Sequence, residues 1–134
     1  MTVGAMIQHD IEVILFRQLA SYLAMPLFIV DPAGTLLFYN EPAEAILGHR
    51  FEETGEMPAS EWSSLYTTDG PGDSVAPEEL PLMIALREHR PAHGRLIIRG
   101  LDHVRRHIEV TAFPLIGQAG RGLGAVAIFW EVPK

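Results

Sequence analysis

The hydrophobic and polar positions divide the chain into three textures. The first stretch, roughly Ala5 to Ala24, has neither Pro nor Gly, and its apolar positions Ile7, Ile11, Ile14, Leu15, Leu19, Tyr22 and Leu23 recur at three- and four-residue steps. That spacing predicts an amphipathic helix with an apolar arc wide enough to meet more than one surface. Pro26 ends it. Next, Leu27 to Val30 and Thr35 to Tyr39 are short apolar runs on either side of Asp31-Pro32-Ala33-Gly34. Pro and Gly suit a tight turn, so a β-hairpin is expected. Asn40, followed by Glu41 and Pro42, is a helix-start signal, and Gly48 stops that short helix after about Leu47.

The stretch from His49 to Ala76 is the least legible. Trp62, Leu65 and Tyr66 suggest one or two helical turns, and the Gly- and Pro-rich run 67–73 reads as a loop. Pro77-Glu78-Glu79 opens a further helix through Leu82, Met83, Leu86 and Arg87, ending near Arg90-Pro91. The last third predicts strands at about His93–Arg99, Arg105–Ile116 and Gly122–Glu131. The order implies an α+β domain: a five-stranded antiparallel sheet with short helices on one face and an extra amino-terminal helix. Residues 1–25 form that helix, as a cap or dimerisation element, and 26–134 form the domain proper.

Composition narrows the function classes. The 134 residues fit one domain, and 48% hydrophobic with 20% charged residues describes a folded chain. Seventeen acidic against ten basic side chains give a formal charge of −7. Nucleic-acid backbones and anionic membranes require a concentrated positive field, so neither is expected as a partner. The absence of cysteine removes disulfides, thiolate metal sites, cysteine nucleophiles and flavin–thiol photochemistry, and suits a reducing cytoplasm. Asp10, Glu12 and Arg17 interrupt the first apolar stretch, nothing basic precedes it, and no apolar run reaches the ~20 residues that cross a bilayer. The expectation is a soluble cytoplasmic protein. There is no Gly-x-Ser-x-Gly elbow and no phosphate loop, and Glu78 and Glu79 are explained by a helix's first turn. No catalytic residue is assigned, and no enzyme is expected.

Three segments carry a resemblance. Pro26-Leu27-Phe28-Ile29-Val30-Asp31-Pro32-Ala33-Gly34-Thr35 through Asn40-Glu41-Pro42-Ala43 to Gly48, then Pro77-Glu78-Glu79-Leu80-Pro81-Leu82 to Leu86, then Ile108 to Leu115 with Gly122 to Phe129 together resemble the PAS domains of bacterial sensors. The resemblance spans about residues 26 to 132. It implies a sensory or interaction module that dimerises through an amino-terminal helix and the outer sheet face. Ligands in such domains include haem, flavins, small acids and lipids, and many members hold none. Asp31, Gly34 and Asn40 match signature positions, and we read them as turn, turn and helix cap.

Because strand side chains alternate, analogy with flavin-binding relatives sorts them by face. Leu96 and Ile98, Ile108 and Val110, and Val126 and Ile128 are expected to face the helices. With Leu82, Met83 and Leu86 they form a packed core or a pocket for a small hydrophobic ligand, with Tyr39, Trp62 and Tyr66 as polar anchors. Missing amides and the missing cysteine argue against flavin. Haem is the alternative cofactor, with His89 at the end of the long helix as the axial candidate. His93, His103 and His107 fall on or beside one hairpin, but Arg105 and Arg106 oppose a cation there, and no metal site is assigned. Phe113 and Phe129 are expected on the outer face with Ala125 and Ala127. That apolar stripe would need a cover, which predicts a homodimer through Ile7, Ile11, Ile14, Leu15, Phe113 and Phe129. The end at Lys134, just after the last strand, suggests action in trans on a protein partner such as a kinase or regulator.

Overall fold

The computed structural model describes residues 11–67 and 77–133. Its elements are α1 (Ile11–Ala20), β1 (Leu27–Val30), β2 (Leu36–Tyr39), α2 (Glu41–Leu47), α3 (Phe51–Thr54), α4 (Ala59–Trp62), β3 (Tyr66–Thr67), α5 (Pro81–Glu88), β4 (Ala92–Arg99), β5 (Arg105–Ile116) and β6 (Gly122–Glu131). The five expected strands are present, and the two-residue β3 adds a short ladder at one edge. All pairings are antiparallel, in the order β2-β1-β6-β5-β4-β3. The chain therefore lays down one hairpin, crosses the sheet with its helices, and returns as a meander that docks β6 against β1.

Local chemistry sets most of the boundaries. Asp31 Oδ1 accepts from the amides of Ala33 and Thr35, both at 2.9 Å, which ties the β1–β2 turn. Asn40 caps α2 by accepting from Ala43 N. The long helix starts later than the pattern implied: Pro77–Glu79 is a separate 3₁₀ turn and α5 begins at Pro81. Pro81 disfavours helical geometry at the residue before it, and Leu80 is accordingly extended, with ψ 138°. The first helix ends at Ala20, before the expected Ala24. Ile7 lies outside the described residues, as does the 68–73 part of the expected loop.

The largest correction concerns β6. At the hairpin end Ile116 pairs with Gly122, a register that would set Val126 and Ile128 beside Ala112 and Val110 on the inner face. Between Leu115 and Ile116 the register shifts, because Leu115 pairs with Gly124 and Leu123 is the extra residue. A one-residue bulge moves every following side chain to the opposite face. Val110 therefore pairs with Phe129 and Ala112 with Ala127. Phe129, Ala127 and Ala125 face inward, while Val126 and Ile128 face outward. Gly124 makes the shift possible: its φ is +129°, and a Cβ there would overlap the Val30 carbonyl oxygen. Only glycine tolerates both conditions.

Two apolar layers result. The inner one joins α2, α4 and α5 to the sheet through Phe28, Tyr39, Leu47, Trp62, Leu80, Leu82, Ile98, Ile108 and Phe129. The outer one packs Val13, Phe16 and Ala20 of α1 on Leu27, Ile29, Leu37, Leu123 and Val126, with Phe113 and Ile128 at its margin.

Candidate functional site

The inner face is where the sequence offered either a packed core or a ligand pocket, and aromatic side chains occupy its middle. Phe28 contacts Tyr39, Trp62 and Phe129 with ring centroids at 5.7, 6.4 and 5.5 Å, and all four residues are fully buried. The Trp62 and Phe129 pairs are edge-on and the Tyr39 pair is tilted, and aromatic pairs at such distances are favourable beyond the area they bury. Trp62 Nε1 donates to the Gly34 carbonyl at 2.8 Å, pinning α4 to the β1–β2 turn. Tyr39 donates its hydroxyl to the His49 carbonyl at 2.9 Å and lies 3.0 Å from Thr54 Oγ1. Burial pushes the Tyr39 phenol up, the Thr54 hydrogen bond partly offsets this, and the Glu44, Glu53 and Glu52 carboxylates push further up. It stays neutral, as a hydrogen-bond donor should.

Of the sequence-derived ligand set, Leu82, Met83, Ile98, Ile108 and Val110 are buried together in this layer, and Leu86 and Leu96 are half-buried against it. Val126 and Ile128 are separated from them by the sheet. Among the proposed anchors, Tyr39 and Trp62 are interior, while nothing is described of the Tyr66 side chain. Met83 and Leu86 also line a depression of about 340 Å³ beside Pro32, Arg87 and His89 at the end of α5. Sequence reasoning missed Phe28 and Phe51 as site residues. The β1 alternation Phe28, Val30 against Leu27, Ile29 was the available signal, but it needed the partner strand to assign faces.

The interior does not suit the two cofactors considered. The inward residues of β4, β5 and β6 that reach the core, Ile98, Ile108, Val110, Ala112 and Ala127, offer no amide to a flavin ring. Asn40 is buried, but its bonding capacity is spent: Oδ1 accepts from Leu27 N and Ala43 N, and Nδ2 donates to the Ala20 and Met25 carbonyls. His89, the haem candidate, is the exposed C-cap of α5 in left-handed geometry, with φ 54°, and does not enter the layer. No group of three or more metal-ligating side chains occurs among the described residues. His93 and His107 sit on opposite strands at different levels, and His103 lies in the turn between them.

Asn40 also joins this layer to the other side of the sheet. One side chain holds the end of α1, the start of β1 and the start of α2. A second link runs around the β2 edge, where the Arg17 guanidinium lies 4.6 Å from the Phe38 ring centroid and 5.4 Å from that of Phe51. Phe51 in turn packs edge-on against Tyr39 at 5.4 Å.

The outer face is only half covered. Val13 is 4% exposed beneath α1, whereas Ile11 is 68%, Leu15 56% and Leu19 54% exposed on the far side. Between α1 and the β1–β2 hairpin runs a groove of about 360 Å³. Phe113 is half-buried at the margin of this face, and Phe129 is absent from it.

A helix-capped, one-sidedly helical antiparallel sheet of this order defines a class of small α+β sensory folds. The PAS-fold family model matches residues 21–133, and the chain belongs to the PAS family, whose fold commonly serves sensory and signalling modules. Among solved structures it is similar to the PAS domain of Bordetella pertussis BvgS (TM-score 0.68, 15% identity, covering 93% of this chain and 89% of that one). It is also similar to a Rhodobacter sphaeroides LOV protein (TM-score 0.73, 15% identity, 93% and 70% covered). A third is the PAS domain of nitrogen regulation protein NR(II) from Vibrio parahaemolyticus (TM-score 0.63, 17% identity, 88% and 98% covered). At these identities the likeness is one of fold. No curated protein is significantly similar in sequence. No helix among the described residues is long and apolar enough to cross a membrane.

Proposed function

We propose that the chain is a non-catalytic sensory module that works as a homodimer through α1 and is read by a protein partner in trans. The observation that carries this reading is the apolar ridge of α1. Ile11, Leu15 and Leu19 lie on one flank at helical spacing, Tyr22 follows in the turn just past the helix end, and each is more than half exposed. A contiguous apolar surface of this kind on a soluble domain is an association site. In this reading Ile11, Ile14 and Leu15 are interface residues, Phe113 supports them from the sheet, and Phe129 belongs to the core. The non-catalytic part rests on the interior, where Asn40 and Ser63 are the buried polar residues among those described, and Asn40 is committed to structure. The seven inner-face candidates, Leu82 through Val110, serve as packing that couples helices to sheet.

Sedimentation velocity at high micromolar concentration tests it. The wild-type chain should sediment as a dimer, and Leu15→Glu with Leu19→Glu should give a monomer of unchanged melting temperature. A wild-type chain that stays monomeric would overturn the proposal.

A further inference from the structure

We propose that the groove between α1 and the outer face of β1–β2 binds a free long-chain carboxylate, at a site separate from the inner face. This deepens the sensory reading by giving it a ligand. It rests on that reading for its consequence, not for the binding itself.

The groove has the walls such a ligand needs. Ile29, Leu37 and Phe38 form its sheet side, and Val13 and Ile14 its helix side. Its volume of about 360 Å³ falls in the range of small-molecule sites, roughly 300–1,000 Å³, which are mostly apolar with a few placed polar groups. An alkyl chain laid there buries apolar surface on both partners.

The polar group is Arg17, which borders the same groove. Its guanidinium is held by the Phe38 and Phe51 rings at 4.6 and 5.4 Å. A cation–π contact holds the cation by its charge and uses none of its N–H donors as hydrogen bonds. Among the described residues no carboxylate or carbonyl accepts from the Arg17 side chain. The guanidinium's fork of N–H donors matches a carboxylate in two-point fashion. In a chain of net charge −7, this cation beside an apolar trough favours one ligand chemistry. A neutral hydrocarbon leaves Arg17 unused, and a small inorganic anion leaves the trough unused. An anion with an apolar tail uses both.

Position gives the site its consequence. At 3.6 residues per turn, Val13, Ile14 and Arg17 occupy the flank of α1 toward the hairpin, while Ile11, Leu15 and Leu19 point away from it. A bound tail would fix α1 from beneath and leave the ridge of Ile11, Leu15 and Leu19 free, meeting the proposed interface only at Ile14. Occupancy would thereby set how firmly the ridge is presented.

The test is calorimetric titration of the full chain with dodecanoate, with dodecanol as the neutral control of equal length. One saturable site per chain is expected for dodecanoate, with dodecanol about tenfold weaker or worse. Arg17→Met should weaken dodecanoate about tenfold and erase the acid–alcohol difference. Ser21→Trp, at an exposed position on the groove rim, should block binding without unfolding the chain, and decides the matter if the Arg17 variant is unstable. The proposal fails if dodecanoate shows no saturable binding, if acid and alcohol bind alike, or if Ser21→Trp leaves binding intact. Leu15→Glu separates the two readings. Binding retained by a monomer supports the groove whatever the state of assembly, and a dimer that binds no dodecanoate sinks the groove and leaves the dimer standing.

Discussion

The two faces of one sheet are finished differently. On the inner face, helices α2, α4 and α5 and four interlocked aromatic rings close the layer, so the chain completes its own core. On the outer face a single ten-residue helix covers the middle and leaves a ridge and a groove in view. The contrast locates function: a surface the chain satisfies by itself is a scaffold, and a surface left unfinished calls for something else to finish it.

The sharpest way to break this comparison is to cut the inner layer. Phe28→Ala removes the ring that touches the other three, and should cost about 3–5 kcal/mol in urea or guanidinium unfolding, the usual range for a buried Phe. A loss near 1 kcal/mol would show an interior looser than described, with room for a ligand after all. Next in size is Asn40→Ala, which strands the Leu27 amide and the Met25 carbonyl and removes one of the two donors to the Ala20 carbonyl. Leaving buried partners unsatisfied should cost about 2–3 kcal/mol. Because Asn40 holds the end of α1, amide hydrogen exchange at Tyr22 and Leu23 should speed up well before exchange in β5. Uniform acceleration would mean that the two faces open together, and the contrast would lose its meaning.

On the outer face the expected effects change character. Leu15→Glu should alter stability by less than about 0.5 kcal/mol, as surface substitutions do, while abolishing association in sedimentation. The smallest effect lies away from both faces, at Asp102. The Val104 amide donates to its carboxylate, desolvation partly opposes this, and Arg106 adds to it, so its pKa is held below the ordinary value near 3.8. A depressed carboxylate contributes stability above its unfolded pKa and loses it as pH falls through the folded value. Asp102→Asn should therefore flatten the acid side of the melting-temperature profile slightly below about pH 4, with little change at neutral pH. An unchanged acid slope would mean that the carboxylate's bonds are too solvated to matter.

The fold was largely legible because its punctuation is local. Asn40, Gly48, the 31–34 turn and the long alternations of β5 and β6 announce their elements without help from distant residues. The site was legible only in part. The side chains of β4 and β5 were assigned to the right face because their hairpin is regular from Ala92 to Arg99. Those of β6 were inverted, since a bulge is set by how Gly124 meets Val30, a contact between segments far apart in the sequence. The aromatic cluster escaped for the same reason. Phe28, Trp62 and Phe129 come from three separate segments, and no periodicity links them. Arg17 sits within a helical pattern and gains its role only when Phe38 and Phe51 are folded against it.

The extra residue at Leu123 has a practical meaning for anyone editing this gene. The turn at Gln118–Gly120 points into solvent, with Ala119 and Gly120 exposed, so a tag or a few added codons there should be absorbed without trouble. Loss of the Leu123 codon would only straighten the ladder and keep Phe129 opposite Val110, whereas loss of the Ala125 codon would slide the rest of the strand by one, setting Ile128 opposite Ala112 on the inner face and Phe129 opposite Thr111 on the outer one. Along this hairpin, tolerance to length change is therefore a matter of parity, and it switches from permissive to forbidding just past the bulge.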